Sequence, residues 1–227
     1  FELTADQKKA VEEILRDMGS NFKMNRLLQG EVGSGKTVVA AICLYAAVTA
    51  GYQGAIMVPT EVLAQQHFQT FRKLFENTGV NIQMLSASLS PKEKKEILDG
   101  LLNKDIDIVV GTHSLFGKDV VFDRLGLVIT DEEHRFGVRQ RVSIVGKGHL
   151  IDHLKMSATP IPRTLAISIL GDSDISVIRQ LPGQRKEPIT KYLHYEDIEI
   201  VHDHILKEIR AGRQVYVITP MIEESPV

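Results

Sequence analysis

The chain has 227 residues, of which 43% are hydrophobic and 25% are charged, a composition typical of a globular protein that folds in water. No apolar run approaches the roughly 18 residues that a membrane-spanning helix needs, and no charged-then-apolar leader opens the chain, so we expect no membrane partner. The formal net charge of −2 provides no overall attraction to nucleic acid, so any DNA contact must come from local patches and directed backbone amides. The single cysteine, Cys43, is expected to be a buried small hydrophobe rather than a reactive thiol, which fits a reducing, cytoplasmic environment.

The first elements of the chain frame a phosphate-binding loop. Residues 4–7 form a capping box that predicts the start of a helix, and residues 26–29 predict a short apolar strand. Residues 30–37 match the pattern G-x-x-x-x-G-K-[ST], and an Ala- and Val-rich helix is predicted over 36–50. In such a loop the glycines let backbone amides surround the phosphates, while the lysine reaches the β and γ phosphates. The residues predicted to bind the nucleotide in this way are Gly30, Gly33, Ser34, Gly35, Lys36 and Thr37.

Further along the chain, short apolar runs alternate with helical patterns. Strands are predicted over residues 55–58, 82–85, 106–110, 127–130 and 154–157, and helices are predicted to begin near Thr60, Ser90 and Ile161. The helix from Thr60 is expected to stop before Gly79, a residue suited to a left-handed C-cap. This alternation predicts a doubly wound α/β fold, in which a parallel sheet carries helices on both faces and ligands gather beyond the carboxyl ends of the strands. The segments expected along that edge are 30–37, 58–60, 111–113, 131–134 and 157–160.

An acidic pair follows the strand predicted at 127–130. We expect Asp131 to hold Mg²⁺ together with the hydroxyl of Thr37, and Glu132 to orient and deprotonate the water that attacks ATP. Lys36, Asp131 and Glu132 are therefore the predicted catalytic residues. The alternative is that the two carboxylates only mark the solvated end of a strand, and the matching phosphate loop argues against it.

A boundary is predicted where the alternation stops. Residues 181–188 are rich in proline, glycine and charge, and the stretch after them predicts a strand at 189–193, an amphipathic helix at about 196–211 and a strand at 215–219. Because about 40 residues cannot bury a sufficient core, we interpret them as the opening of a larger unit. The predicted domains are residues 1–183, and a linker with the truncated start of a second domain over 184–227.

Six sequence blocks together resemble a known family. They are residues 24–30, 131–138, 156–164, 171–178, 181–186 and 219–225. The chain resembles the first motor domain of the RecG family of superfamily 2 DNA helicases, which are double-stranded DNA translocases. The blocks at 131–138 and 156–164 also resemble the transcription-repair coupling factor, and Glu133 is typical of that factor where RecG chains often carry glutamine. The resemblance implies a RecA-like P-loop NTPase domain with a DExH motif, followed by the start of a second RecA-like domain.

The resemblance also implies roles for individual residues. It places Gln7 at an adenine-reading position, although Gln7 also belongs to the capping box. It implies that Ser157 and Thr159, with His134 as a neighbour, couple the state of the nucleotide to the grip on DNA; simple packing of small residues is the alternative. It implies that the DNA backbone is gripped at Thr60 and at 111–113, which comprises Gly111, Thr112 and His113.

A basic stretch offers a second candidate contact with DNA. Residues 134–151 contain Arg135, Arg139, Arg141 and Lys147 without an acidic residue, and could follow a duplex backbone. A solvated helix face is the alternative and is favoured for Lys147. Arg163 is open between a phosphate contact and a pairing between domains. The spacing of His149 and His153 does not predict a metal site, because no third ligand accompanies them.

The resemblance thus implies an ATP-dependent DNA helicase or double-stranded DNA translocase that uses ATP and Mg²⁺ to remodel replication forks and Holliday junctions in DNA recombination and repair. Its expected partners are branched double-stranded DNA, a second RecA-like domain supplying arginine fingers, and an upstream wedge domain of the same, monomeric protein. This chain by itself is expected to be nearly inactive. The alternatives are a transcription-repair coupling motor, a nucleotide-dependent binding module, and a phosphotransferase, which the paired motifs at 131–134 and 157–160 disfavour.

Overall fold

A computed structural model of the chain describes residues 2–117, 119–131, 151–158, 173–181 and 189–219. The chain divides into two compact units, Phe1–Arg185 and Lys186–Val227. Among the described residues, no helix is both long and apolar enough to cross a membrane.

The first unit is built on a seven-stranded sheet in which every described pairing is parallel. The strands lie in the order β3-β4-β2-β5-β6-β1-β7. Their bounds are β1 Asn25–Gly30, β2 Gln53–Met57, β3 Ile82–Leu85, β4 Ile108–Gly111, β5 Leu125–Asp131, β6 Asp152–Ser157 and β7 Asp174–Ile178. Parallel neighbours cannot be joined by tight hairpins, and the described connections from β1 to β2, from β2 to β3 and from β3 to β4 each contain a helix, as in a doubly wound sheet.

Four helices of this unit are described, and three of them begin at a capping side chain. They are α1 Ala5–Met18, α2 Lys36–Thr49, α3 Glu61–Leu74 and α4 Pro91–Leu102, with a 3₁₀ turn at His113–Phe116. The hydroxyls of Thr4, Thr60 and Ser90 accept hydrogen bonds from backbone amides in the first turns of α1, α3 and α4. Helix α2 instead begins after Gly35, which has no capping side chain.

Alternating strand residues fill two separate cores, one on each face of the sheet. Ile56, Ile129 and Leu154 pack in the core shared with α1, α2 and α3, whereas Met57 and Val128 pack in the core shared with α4. Successive side chains of a strand point to opposite faces, so each central strand contributes to both layers. This arrangement confirms the predicted parallel sheet with helices on both faces.

The strands predicted in the first unit are confirmed in position, with shifts of up to two residues at their ends. The predicted C-cap at Gly79 is wrong, because α3 ends at Leu74 with Phe75 as its cap. Gly79 has a φ of +79° and lies in the turn that follows. The apolar stripe of α3 ends at Phe75, which is 6% exposed, and residues 76–79 contain no apolar side chain that could hold another helical turn on the core. The helix predicted near Ile161 lies outside the described residues.

Strand β7 has no counterpart among the predicted strands. Its sequence alternates polar and apolar residues, and its polar members bond to the neighbouring strand and to α1. The guanidinium of Arg26 donates to Ser176 at 2.9 Å, and the Ser176 hydroxyl donates to Glu13 at 2.6 Å. Arg26 also pairs with Asp17 at 2.7 Å. Polar tertiary contacts therefore add to the backbone pairing with β1 and the burial of Ile178 in holding this edge of the sheet.

In the second unit, the structure describes a short 3₁₀ turn, Tyr195–Asp197, followed by helix α5, Ile198–Arg210. The predicted helix is confirmed. The predicted strands at 189–193 and 215–219 are wrong, because neither segment forms a strand in the structure. A strand needs a paired neighbour to satisfy its backbone groups, and these segments have none among the described residues of the unit. Ile218 is 94% exposed, and no residue of α5 is buried.

Candidate nucleotide-binding site

The carboxyl edge of the sheet gathers the predicted segments into one row. The strand order places the ends of β4, β2, β5, β6 and β1 side by side. The described members that follow these strands are Gly111–His113, Thr60, Asp131, Ser157 and the loop 30–37. Segments that are up to about 130 residues apart in the chain thus share one rim.

The phosphate loop has a backbone that requires glycine at two points. Gly33 and Gly35 have φ values of +84° and +87°, in the left-handed region. A Cβ atom at Gly35 would lie 2.3 Å from Nε2 of Gln7, and a Cβ atom at Gly30 would lie 2.5 Å from Oγ of Ser34. The loop therefore has no room for a side chain at Gly30 or Gly35, where it leaves β1 and enters α2.

The N-terminus of α2 offers backbone donors that no side chain of the described residues caps. Its N-cap is Gly35, and its first turn contains no acidic residue. The backbone amides of a helix N-terminus and the helix dipole make such an end attractive to an anion. The ammonium of Lys36 lies at the same place and donates to the carbonyl oxygens of Gly30 at 2.6 Å and Glu31 at 3.1 Å. Thr37 follows in the first helical turn. The N-terminus of α2, the ammonium of Lys36 and the hydroxyl of Thr37 together suit the binding of a polyphosphate.

The side chain of Gln7 forms a hydrogen bond to the backbone of the phosphate loop, a contact that the sequence did not predict. Its Nε2 donates to the carbonyl oxygen of Ser34 at 2.7 Å, and its Oε1 accepts from the amide of Thr4 at 2.9 Å. Gln7 is 4% exposed, and the fully buried Oγ of Ser34 has no partner among the described residues. The capping box is confirmed, whereas the adenine-reading role of Gln7 stays a prediction.

Asp131 ends β5 with a side chain that is 17% exposed. Its Oδ2 lies 3.0 Å from Nε2 of His67, which projects from α3. His67 was not among the predicted site residues. The one available signal was its place on the apolar stripe of α3, between Ala64 and Phe71.

The other described site residues are placed as follows. Ser157 is 4% exposed at the end of β6, and Gln29 of β1 lies beside it in register. Thr60 caps α3 by accepting from the amide of Leu63 at 3.3 Å. The hydroxyls of Thr112 and Ser114 lie 3.4 Å apart, next to His113 in the 3₁₀ turn. The predicted residues that lie outside the described part of the chain are Glu132, His134, Arg135, Arg139, Arg141, Lys147, Thr159 and Arg163.

A second buried histidine lies on the opposite face of β5. Nε2 of His153 is 3.1 Å from the hydroxyl of Thr130, the residue before Asp131. Burial, with smaller contributions from the nearby Lys155 and Lys23, lowers the pKa of His153 to about 3. His153 is therefore neutral at physiological pH, and its contact is with a hydroxyl rather than a carboxylate.

The oxygen ligands at this edge suit Mg²⁺ better than a metal ion that must be coordinated entirely by protein side chains. The described residues contain no cluster of three or more His, Cys, Asp or Glu side chains able to hold an ion. Mg²⁺ retains several waters and commonly takes one or two protein oxygens plus phosphate oxygens. The hydroxyl of Thr37 and the carboxylate of Asp131 are oxygen ligands of that kind, on the same edge of the sheet.

Comparison with known proteins relates the chain to helicases. A family model described as DEAD/DEAH box helicase matches residues 4–167. The ATP-dependent DNA helicase RecG of Staphylococcus aureus (strain MRSA252) is 52% identical over 225 residues, which cover 99% of this chain and 33% of the relative. RecG of Staphylococcus epidermidis (strain ATCC 12228 / FDA PCI 1200) is 53% identical, with the same coverage of both chains. The chain thus spans about a third of the length of the curated relatives it matches.

A solved structure shows the same architecture. The structure of RecG bound to a three-way DNA junction has a TM-score of 0.86 and 43% identity, and the match covers 98% of this chain and 30% of that chain. The predicted RecA-like fold is confirmed by this match. Both of these relatives and the protein in this solved structure are RecG proteins, which favours the resemblance to RecG over that to the transcription-repair coupling factor.

Proposed function

Because the chain belongs to the DEAD/DEAH box helicase family, we propose that it is a nucleotide-binding motor domain of an ATP-dependent helicase acting on branched double-stranded DNA. The observation that carries the nucleotide part is the uncapped N-terminus of α2, which stands beside Lys36 on the same edge as Asp131. Branched DNA as the substrate is supported by the similarity to RecG, including the RecG structure bound to a three-way junction.

In the proposed site, the backbone amides at the start of α2 and the ammonium of Lys36 bind the phosphates. Lys36 would exchange its hydrogen bonds to the loop carbonyls for phosphate oxygens. Thr37 and Asp131 would hold Mg²⁺, which when bound neutralises charge on the phosphate oxygens. Glu132 would orient the attacking water and accept its proton. Because hydrolysis of this kind depends on positioning and charge, each of these groups has a large expected effect.

The proposed DNA contacts lie further along the same edge. The start of α3 at Thr60 and the segment 111–113 would bind backbone phosphates, with Arg135, Arg139 and Arg163 as additional cations. Amides and hydroxyls at helix starts bind phosphate without reading the base sequence. Ser157 lies between the metal-binding and loop-bearing strands, which supports its proposed coupling role with Thr159 and His134.

The test is steady-state ATP hydrolysis by the full-length protein that carries this chain and by the 227-residue chain alone, each with and without a model DNA fork. We expect strong stimulation by the fork in the full-length protein, and little hydrolysis by the chain alone, because a missing arginine finger costs on the order of 10³–10⁵ in rate. A linear duplex of equal length is the control for branch dependence. Equal stimulation by the fork and the linear duplex would refute branched DNA as the preferred substrate.

A further inference from the structure

The contact between His67 and Asp131 links α3 to the residue proposed to hold Mg²⁺. Nε2 of His67 lies 3.0 Å from Oδ2 of Asp131, a normal length for a hydrogen bond from nitrogen to a carboxylate. His67 is 8% exposed. A hydrogen bond to an ionised acceptor in such a partly buried environment is stronger than a hydrogen bond between neutral groups in water.

The His67 ring is held in place independently of Asp131. It stacks on Phe71 one turn later in α3, with ring centroids 5.8 Å apart and an interplanar angle of 21°. Phe71 is fully buried and stacks in turn on Phe75 at 6.3 Å. These aromatic residues at intervals of four lie on one face of the helix. The direction of the imidazole is therefore set by core packing, and the carboxylate must adapt to it.

The surroundings of Nδ1, the other ring nitrogen of His67, indicate that Nε2 carries the proton that is donated to Asp131. Nδ1 of His67 is buried and has no partner within the described part of the chain. A proton on Nδ1 alone would leave both that donor and the facing carboxylate without a partner, whereas a proton on Nε2 satisfies Asp131. The imidazole therefore acts as a single, directed donor to Oδ2.

We propose that His67 is a positioning residue that fixes the carboxylate of Asp131 for metal binding, an inference that rests on the proposed nucleotide site. A carboxylate on a free χ2 torsion presents either oxygen over a broad range of angles. The hydrogen bond from His67 holds Oδ2 and directs Oδ1 as the oxygen available to an ion. Groups that orient a metal ligand in this way typically affect metal affinity or activity by about 10- to 100-fold.

A purely structural role is the competing explanation, because the same bond fastens α3 to β5. The chain offers a matched control in His153, a second buried histidine, which bonds to the hydroxyl of Thr130 on the opposite face of β5. His67→Leu and His153→Leu each remove one buried hydrogen bond and replace the imidazole with an apolar side chain of similar size. Both variants are expected to lower stability, and only His67→Leu should alter the binding of metal.

The experiment is an equilibrium titration of Mg²⁺ into the 227-residue chain with a fluorescent ADP analogue, which needs no turnover. We expect His67→Leu to raise the half-saturating Mg²⁺ concentration about 10- to 100-fold and to leave metal-free nucleotide affinity unchanged. His67→Gln, whose amide can donate from nearly the position of Nε2, should restore most of the affinity. His67→Asn, with a shorter side chain, should not.

The possible outcomes separate this inference from the proposed function. If the wild-type chain shows no nucleotide binding that depends on Mg²⁺, the proposed nucleotide site itself fails. If the wild type binds and His67→Leu has the same Mg²⁺ affinity, His67 has only a structural role and the inference is overturned. If His67→Leu does not fold, the pair His67→Gln and His67→Asn decides, and equal Mg²⁺ affinity in those two variants overturns it as well.

Discussion

Helices α2 and α3 both begin at the carboxyl edge of the same sheet, but their first turns differ. In α3, the hydroxyl of Thr60 accepts from the amide of Leu63 and Glu61 adds a negative charge. In α2, Gly35 supplies neither, and the first turn carries the ammonium of Lys36 instead. The N-terminus of α3 is completed by its own side chains, whereas the N-terminus of α2 has no side-chain cap and suits the anion that we propose binds there. The difference shows how one edge can serve both structure and binding.

The largest expected effect comes from removing the cation at the start of α2. Lys36→Ala should reduce ATP turnover by the full-length protein by at least about 10²-fold, because it removes a positioned charge at the reacting phosphate. The measurement is fork-stimulated phosphate release. Lys73→Ala, which changes an exposed lysine in the last turn of α3, is the control and should have normal turnover. Turnover like wild type in Lys36→Ala would refute the site.

The next largest effect concerns the backbone that leaves the α2 amides uncapped. Gly35→Ala should lower the free energy of unfolding by about 2–5 kcal/mol, since a left-handed alanine costs about 1–2 kcal/mol and its Cβ would overlap Gln7. Gly33→Ala is the matched control, because Gly33 has a similar φ but nothing within 4 Å of the added atom. Gly33→Ala should lower the free energy of unfolding only by the cost of the left-handed backbone, about 1–2 kcal/mol. Equal losses in urea unfolding would show that the contact with Gln7 has no energetic weight.

A smaller effect is expected from the hydrogen bond that supports the loop. Gln7→Ala should lower the free energy of unfolding by about 1–3 kcal/mol, because it removes two hydrogen bonds, one of them to the carbonyl of Ser34. Thr4→Ala, which removes the hydroxyl of the cap and leaves the bond to Ser34, is the control. The affinities of Gln7→Ala for ATP and GTP then distinguish the two roles of Gln7. An equal loss of affinity for both nucleotides indicates support of the loop alone, whereas a loss of affinity confined to ATP indicates adenine recognition.

The smallest effect tests the capped helix. Thr60→Ala should cost about 1 kcal/mol of stability by leaving the amide of Leu63 without its acceptor, and Thr60→Ser should restore it. Nucleotide affinity should not change in either variant, because Thr60 belongs to α3 rather than to the phosphate loop. Thermal unfolding and nucleotide titration measure the two quantities. A loss of nucleotide affinity in Thr60→Ala would contradict the separation of the two helix ends.

Much of the first unit could be predicted from the sequence, because its signals are local. Central strands of a parallel sheet are apolar on both faces, so runs such as 127–130 are visible without knowledge of their neighbours. The spacing of glycines and lysine in 30–37 depends only on the turn from strand to helix. Strand β7 was missed because its residues Ser176 and Asp174 are polar, and their partner Arg26 is about 150 residues away in the chain.

The second unit shows the limit of the same reasoning. Residues 189–193 and 215–219 have strand-like composition, yet composition does not provide the neighbouring strand that completes the ladder. Helix α5 did form as predicted, because a helix satisfies its backbone hydrogen bonds within its own segment. The contrast between these predictions follows from where each element finds its hydrogen-bond partners.

The sequence by itself determined which chemical groups this protein carries and on which elements they lie: a glycine-rich loop with Lys36 and Thr37, an aspartate at the end of an apolar strand, and a row of parallel strands that holds them. Only the tertiary structure decided how these groups are supported. It brought Gln7 under the loop and His67 against Asp131, across 27 and 64 residues of chain respectively. Such contacts depend on the crossing of helices over a sheet, and no local pattern in the sequence specifies which buried side chain will meet which.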